Sequence, residues 1–126
     1  MMEGLDDRAL ERVAEYFRAL SEPLRLKILN ALREGERNVG ELTELFGCSQ
    51  ANISKHLSVL AKSGFVERAS RATNVYYRIA DPSTYQLCDL VCGQIAKRFA
   101  EQAELQAMFT SPRKGVRTSK SKSARR

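Results

Sequence analysis

The chain has 126 residues, 43% of them hydrophobic and 29% charged, and carries 21 Lys and Arg against 15 Asp and Glu for a net charge of +6. That length allows one modest core; no apolar run approaches the roughly 18 residues of a membrane span, and the charged opening MMEGLDDRALER is unlike a secretory signal. A cytoplasmic protein with no membrane partner is therefore expected, and three cysteines without framework spacing argue against a disulfide-stapled fold and for reduced thiols.

The first helix is predicted from about Asp6 to Leu20, with Leu10, Val13, Ala14 and Phe17 on one face. Ser21 offers a hydroxyl cap and Pro23 an early helical position, starting a second helix through Leu24, Ile28, Leu29 and Leu32 that ends at Gly35. A third, short helix over Val39 to Phe46 is expected to bury Leu42, Leu45 and Phe46 and to stop at Gly47. Gly47, Cys48 and Ser49 then form a tight turn, with Ser49 capping a fourth helix over residues 49 to 63.

On this fourth helix Ile53, Leu57 and Leu60 fall at i, i+4 and i+7, one stripe for a core to bury. Opposite them lie Ala51, Lys55, Ser58 and Lys62, flanked by Asn52 and Ser54, a surface that is small, polar or positive and free of carboxylates. Such a face suits close approach to a nucleic-acid duplex, and taken alone it suits a solvated surface helix equally well. Two helices joined by a short glycine-containing turn form a helix-turn-helix, in which the first braces the second. The N-terminal end of the second can then enter a groove about 12 Å wide.

After Gly64 the apolar period changes from 3.6 toward 2. Phe65 to Ala69 and Val75 to Ile79 read as two strands around the polar connection SRATN, with Val75, Tyr77 and Ile79 on one face and Tyr76 and Arg78 on the other. This hairpin is a wing beside the helix pair, placing Arg68, Arg71, Thr73 and Asn74 to meet phosphates or the minor groove. The tyrosines fit strand packing better than base stacking. Residues 45 to 78 hold Lys55, Lys62, Arg68, Arg71 and Arg78 against Glu67 alone, a net of +4, the footprint a polyanion requires.

The last helix starts with Asp81 as cap and Pro82 as first residue and extends to about Phe109. Its stripe of Tyr85, Cys88, Cys92, Ile95 and Phe99, at intervals of 3, 4, 3 and 4, is a helix-pairing seam. A helix roughly 40 Å long at 1.5 Å per residue is too long for the rest of so small a domain to cover. A second copy covers it, so a two-fold homodimer through the first and last helices is predicted. The domain accordingly spans residues 1–109. Residues 110–126, TSPRKGVRTSKSKSARR, hold seven Lys or Arg and no acid, leaving 14 basic and 15 acidic side chains before them. This tail has too little apolar surface to order itself, and it serves either phosphate attraction or solubility.

The segments LSEPLRLKILNAL, GCSQANISKHLSVLAKSGFVE and VYYRIADP resemble, in that order and spacing, the ArsR/SmtB family of small winged helix-turn-helix repressors, over about residues 8 to 100. The resemblance implies a mainly α (α+β) homodimer of five or six helices with a two-stranded hairpin wing. It implies binding to an inverted-repeat operator near the promoter of a resistance or stress operon, relieved by an inducer. The family's DNA-reading positions carry over to Ser49, Gln50, Asn52, Ser54, Lys55 and His56. Gln50 and Asn52 have the paired donor and acceptor that suit adenine, about 1–3 kcal/mol of discrimination per good contact. Lys55 suits a phosphate. His56 borders the buried face, so packing or backbone bonding competes with a DNA role. The wing departs from the family in lacking a glycine at its tip, and Asn74 is a candidate for the left-handed residue.

The family's thiol site on the third helix corresponds here to NVGELT, residues 38 to 43, which contains no cysteine. Its carboxylate and histidine site matches at Asp81 but meets Ser83, Gln94 and Lys97 elsewhere, so no zinc site of that type is expected. Cys88 and Cys92, four apart on one helical face, remain as candidates for As(III), Cd or Cu(I), or for redox sensing. Against this stands packing, with both as small hydrophobes in a tight seam. Cys48 has no assigned role. No phosphate-binding glycine loop or paired acid-base motif suggests an enzyme, and the rival function is a winged-helix scaffold for protein interaction.

Overall fold

The structure, a computed structural model, describes residues 3–110. In chain order it runs α1 (Asp7–Ala19), α2 (Pro23–Ala31), a 3-10 turn (Leu32–Glu34), β1 (Arg37–Asn38), α3 (Val39–Phe46), α4 (Gln50–Lys62), β2 (Val66–Arg71), β3 (Asn74–Ile79) and α5 (Ser83–Phe109). Two compact units divide at Thr84, the first ending there and the second starting at Tyr85. The basic tail predicted from residue 110 lies, beyond Thr110, outside the described residues.

The first unit holds the helix-turn-helix and wing. Ile28, Leu29, Leu32, Leu42, Ile53, Leu57, Leu60 and Phe65 form its core, each at most 2% exposed. The predicted stripe of α4 is thus buried in full, and each such side chain contributes about 1.5–3 kcal/mol relative to an exposed position. Tyr16 of α1 packs its ring on Phe65, with centroids 4.3 Å apart. On α1 the predicted apolar face stays largely open: Val13 is half-buried, whereas Leu10, Ala14 and Phe17 are exposed.

Several local expectations change. Ser21 does not cap α2; its hydroxyl donates back to the Arg18 carbonyl at 2.7 Å, closing the end of α1 instead. The N-cap of α2 is Glu22, without a side-chain bond, and Pro23 opens the helix. That helix ends at Ala31, and its last turn tightens to a 3-10 turn before Gly35. Leu45 is 54% exposed and Phe46 only half-buried, so Leu42 alone anchors α3 in the core. An eight-residue helix presents a single turn's width to its neighbour, and Leu45 lies outside it.

The predicted β2–β3 hairpin is present, and a third strand joins it. Together they form a three-stranded antiparallel sheet in the order β1-β3-β2, because Arg37 and Asn38 pair with Tyr77 and Tyr76. Two residues show no alternation, which is why β1 escapes pattern reading. Asn38 also starts α3 through a capping box: its side chain accepts from the Glu41 N–H and its own N–H donates to Glu41 Oε1, both at 2.8 Å. Strands β2 and β3 reach further than predicted, to Arg71 opposite Asn74, and leave Ala72 and Thr73 as the turn. Ala72, at φ 53°, takes the left-handed position suggested for Asn74. Positive φ at the first turn residue alone is the pattern of a type II′ hairpin turn, which usually has glycine there.

Helix α5 has 27 residues, as long as the sequence implies, and from Tyr85 on it belongs to the second unit. Before it, Asp81 accepts from the Ser83 N–H at 3.0 Å, which holds its carboxyl below the usual carboxylate range. No helix among the described residues is long and apolar enough to cross a membrane. Leu42→Ala is expected to cost about 2–5 kcal/mol, and Leu45→Ala to stay within about 0.5 kcal/mol. Denaturant melts at fixed protein concentration separate the two.

Candidate nucleic-acid interface

The turn between α3 and α4 begins at Gly47, whose φ of 66° is the left-handed conformation that closes a helix, with its N–H bonded to the Thr43 carbonyl at 2.8 Å. Two residues later the Ser49 hydroxyl accepts from the Asn52 N–H at 3.1 Å and starts α4. That cap settles the start of the outward face. Ser49, Gln50, Ser54 and Lys55 are exposed and Asn52 is half-buried, so five predicted positions share the N-terminal half of one helix.

Two others do not join them. His56 is 7% exposed, and its Nδ1 lies 3.0 Å from Nη1 of Arg25 on α2. A guanidinium has only donors, so the imidazole accepts and is neutral. Burial pushes its pKa below the usual histidine value, Arg25 and Lys55 push the same way, and Glu22 opposes them. His56 is therefore a core residue of the α2–α4 contact and not an outward one. Lys62 is exposed at the far end of α4, roughly 18 Å from Gln50 at 1.5 Å per residue, where it lines a groove with Arg12, Arg18 and Arg25.

The wing carries Arg68, Arg71, Thr73 and Asn74 on exposed positions. Arg71 forms an ion pair with Glu36, just before β1, and its guanidinium lies over the Tyr76 ring at 4.9 Å. Arg78 pairs with Glu67 directly across the ladder at 3.2 Å. Two of the five cations counted between residues 45 and 78 are thus balanced by acids in or next to the sheet. Those on α4, Lys55 and Lys62, sit on a helix that contains no acidic residue.

The comparisons with known proteins meet this geometry at the same elements. Residues 22–68, from the cap of α2 into β2, match the model of the bacterial regulatory proteins of the arsR family. Over 96 residues the chain is 39% identical to the biofilm growth-associated repressor of Xylella fastidiosa strain 9a5c, covering 73% of this chain and 83% of that repressor. The chain belongs to the arsR family of bacterial regulatory proteins.

Solved structures of similar proteins give the same winged helix-turn-helix. The crystal structure of Mycobacterium tuberculosis Rv0081 superposes with a TM-score of 0.72 at 29% identity, over 78% of this chain and 99% of that one. The homodimeric winged helix-turn-helix DNA-binding domain of Mycobacterium bovis Mb0332 does so with a TM-score of 0.65 at 35% identity, over 80% and 95%. The family is one of transcriptional regulators, not of enzymes.

Of the positions compared in the sequence with a carboxylate and histidine site, Asp81, Ser83, Gln94 and Lys97, only Asp81 is an acid. Asp81 spends one carboxylate oxygen on the Ser83 N–H, and Ser83, Gln94 and the cationic Lys97 are weak ligands or none. Among the described residues no three or more His, Cys, Asp or Glu side chains cluster for a metal ion. The cysteines form no disulfide: Cys48 and Cys88 are half-buried and Cys92 is exposed. Sequence reasoning missed two residues that shape the interface, Arg25 and Glu36. The first had a signal, as a cation three and four residues before the core positions Ile28 and Leu29; the second had none, because its partner is 35 residues away.

Ser49→Ala removes the only side-chain cap of α4 and is expected to cost about 0.5–2 kcal/mol. Ser49→Asp, which restores an acceptor, recovers most of it in the same denaturation measurement.

Proposed function

We propose that this arsR-family protein is a homodimeric transcriptional repressor that reads an inverted-repeat operator with α4 of each copy. The β2–β3 turn of each wing meets the flanking backbone or minor groove. The observation that carries this reading is the α4 surface itself: Gln50, Ser54 and Lys55 stand exposed and free of carboxylates on a helix whose other side is wholly buried. Gln50 and Asn52 have the amide groups to read adenine edges, and Lys55 and the wing arginines the charge to meet phosphates. Arg71 engages DNA by exchanging its Glu36 partner for a phosphate.

The homodimer is supported by apolar surface left open in one chain. Leu10 and Phe17 of α1 are exposed, and on α5 so are Leu90, Val91, Cys92, Ile95 and Phe99, the last at 66%. Of the predicted seam, Tyr85 and Cys88 are half-buried, and the open surface extends beyond it to Leu90 and Val91. Pairing α1 and α5 with a second copy removes this area from water, and the Mycobacterium bovis relative is homodimeric.

For the purified protein and a duplex of the sequence upstream of its own gene, fluorescence anisotropy is expected to give a Kd of about 10⁻⁸ M or tighter. Binding weakens steeply with salt. Gln50→Ala costs about 1–3 kcal/mol on that duplex and leaves binding to a scrambled duplex unchanged. A protein-interaction scaffold, the rival reading, gives no salt-dependent binding to either duplex.

The inducer site we propose is Cys88 and Cys92, whose thiols share a face of α5. Two sulfurs from each copy supply up to four soft ligands, suited to As(III), Cd or Cu(I), or to redox chemistry between copies. Ultraviolet thiolate-to-metal absorption on adding one of these ions to the reduced protein, lost in Cys88→Ser and Cys92→Ser, is the expected result. No absorption at stoichiometric metal leaves packing or redox as their role.

A further inference from the structure

One side chain ties together the three helices behind the interface. Arg25, half-buried near the start of α2, donates from Nε to the Ala19 carbonyl at 2.6 Å and from Nη2 to the Arg18 carbonyl at 3.2 Å. Its third nitrogen, Nη1, is 3.0 Å from His56 Nδ1 on α4. The last carbonyls of α1 are the negative end of that helix, where a cation is favoured. Arg25 therefore satisfies α1, reaches through its own helix and ends on the recognition helix. The imidazole it meets is the only histidine of the chain, one residue after Lys55 and one before the core residue Leu57.

We propose that Arg25 and a neutral His56 are positioning residues for DNA reading: they lock α4 to the junction of α1 and α2, and protonation of the imidazole opens the lock. A proton on Nδ1 removes the acceptor, sets two N–H groups against each other, and places two like charges side by side at a partly buried contact. Of the groups acting on the ring, Arg25 comes from α2, Glu22 from the cap before it and Lys55 from α4 itself. α1 contributes the two carbonyls that hold Arg25 in place. From α3 and β2, which also pack on α4, no charged group among the described residues shifts it. Glu22 alone favours the proton, against burial and two cations. The relevant window therefore lies below the ordinary histidine value of 6.5. Between that value, where the unfolded chain titrates, and the lower folded value, the unfolded state binds more protons, so stability falls as the pH drops.

This inference rests on the repressor reading, and it makes a prediction of opposite sign to simple charge counting. An added positive charge near a polyanion tightens binding, whereas an opened lock weakens it. Affinity for the upstream duplex is measured by anisotropy at constant ionic strength between pH 7.5 and 5.5. The wild type is expected to weaken roughly tenfold, the worth of one hydrogen bond to a charged group. His56→Gln, whose amide oxygen still accepts from Arg25 but takes no proton, shows no weakening in acid relative to its own affinity at pH 7.5. Arg25→Lys, with one ammonium for three acceptors, binds weakly throughout. Because the chain has a single histidine, imidazole nitrogen NMR of the wild type reports the ring without any variant. A neutral ring with the proton on Nε2, titrating below 6.5, is expected. A ring protonated on Nδ1 at neutral pH, or titrating at or above 6.5, overturns the proposal, as does binding that is flat or tighter in acid. No binding at pH 7.5 even at low salt overturns the repressor reading as well.

Discussion

A recognition helix must be held firmly on one side and left chemically empty on the other, and α4 meets both demands with 13 residues. Ile53, Leu57 and Leu60 enter the core completely, at 0% exposure, as do Ile28 of α2 and Leu42 of α3, with Phe65 just before β2 at 1%. Loss of any of these contacts leaves a cavity, so the angle of the helix is set by packing that tolerates little drift. What remains on the outside is mostly short, Ala51, Ser54 and Ser58, with Gln50, Lys55 and, at the far end, Lys62 as the longer side chains. Short side chains let the helix backbone approach another surface closely, and the absence of acids lets that surface be anionic.

Polar interactions refine the orientation that packing sets. The Ser49 cap and the Gly47 turn fix where α4 begins, and the Arg25 node fixes what its middle touches. The wing follows a different rule. Two of the three arginines of its β2–β3 hairpin are engaged before any partner arrives, Arg78 with Glu67 and Arg71 with Glu36 and the Tyr76 ring. Engagement with an internal acid lowers the cost of ordering a long cationic side chain and reduces its pull on distant anions. The wing is in this way a weaker electrostatic lure than its composition implies, and α4 a relatively stronger one.

Periodicity made most of this architecture visible in the sequence. The stripe of α4, the bounds of α3, the Ser49 cap and the far end of α5 all follow from residue spacing, because each depends on neighbours within a few positions. The misplaced features depend on partners further away. Two-residue β1 exists only because β3 is there to pair with it, and Leu45 is open because the core beside α3 is too narrow to reach it. His56 looked like a border residue and is interior because Arg25, 31 positions earlier, supplies the hydrogen bond that makes burial of an imidazole tolerable. Ser21 was one residue too early to cap α2, a distinction that spacing does not resolve.

If two copies pair through their terminal helices, their α4 helices present the same face to DNA about one helical turn, roughly 34 Å, apart. Hydroxyl-radical footprinting of the purified protein on its own upstream region tests that geometry directly. The account predicts two protected stretches of related, inverted sequence on one side of the duplex, centred about ten base pairs apart. A single protected half-site, or uniform cleavage at low ionic strength, would contradict it.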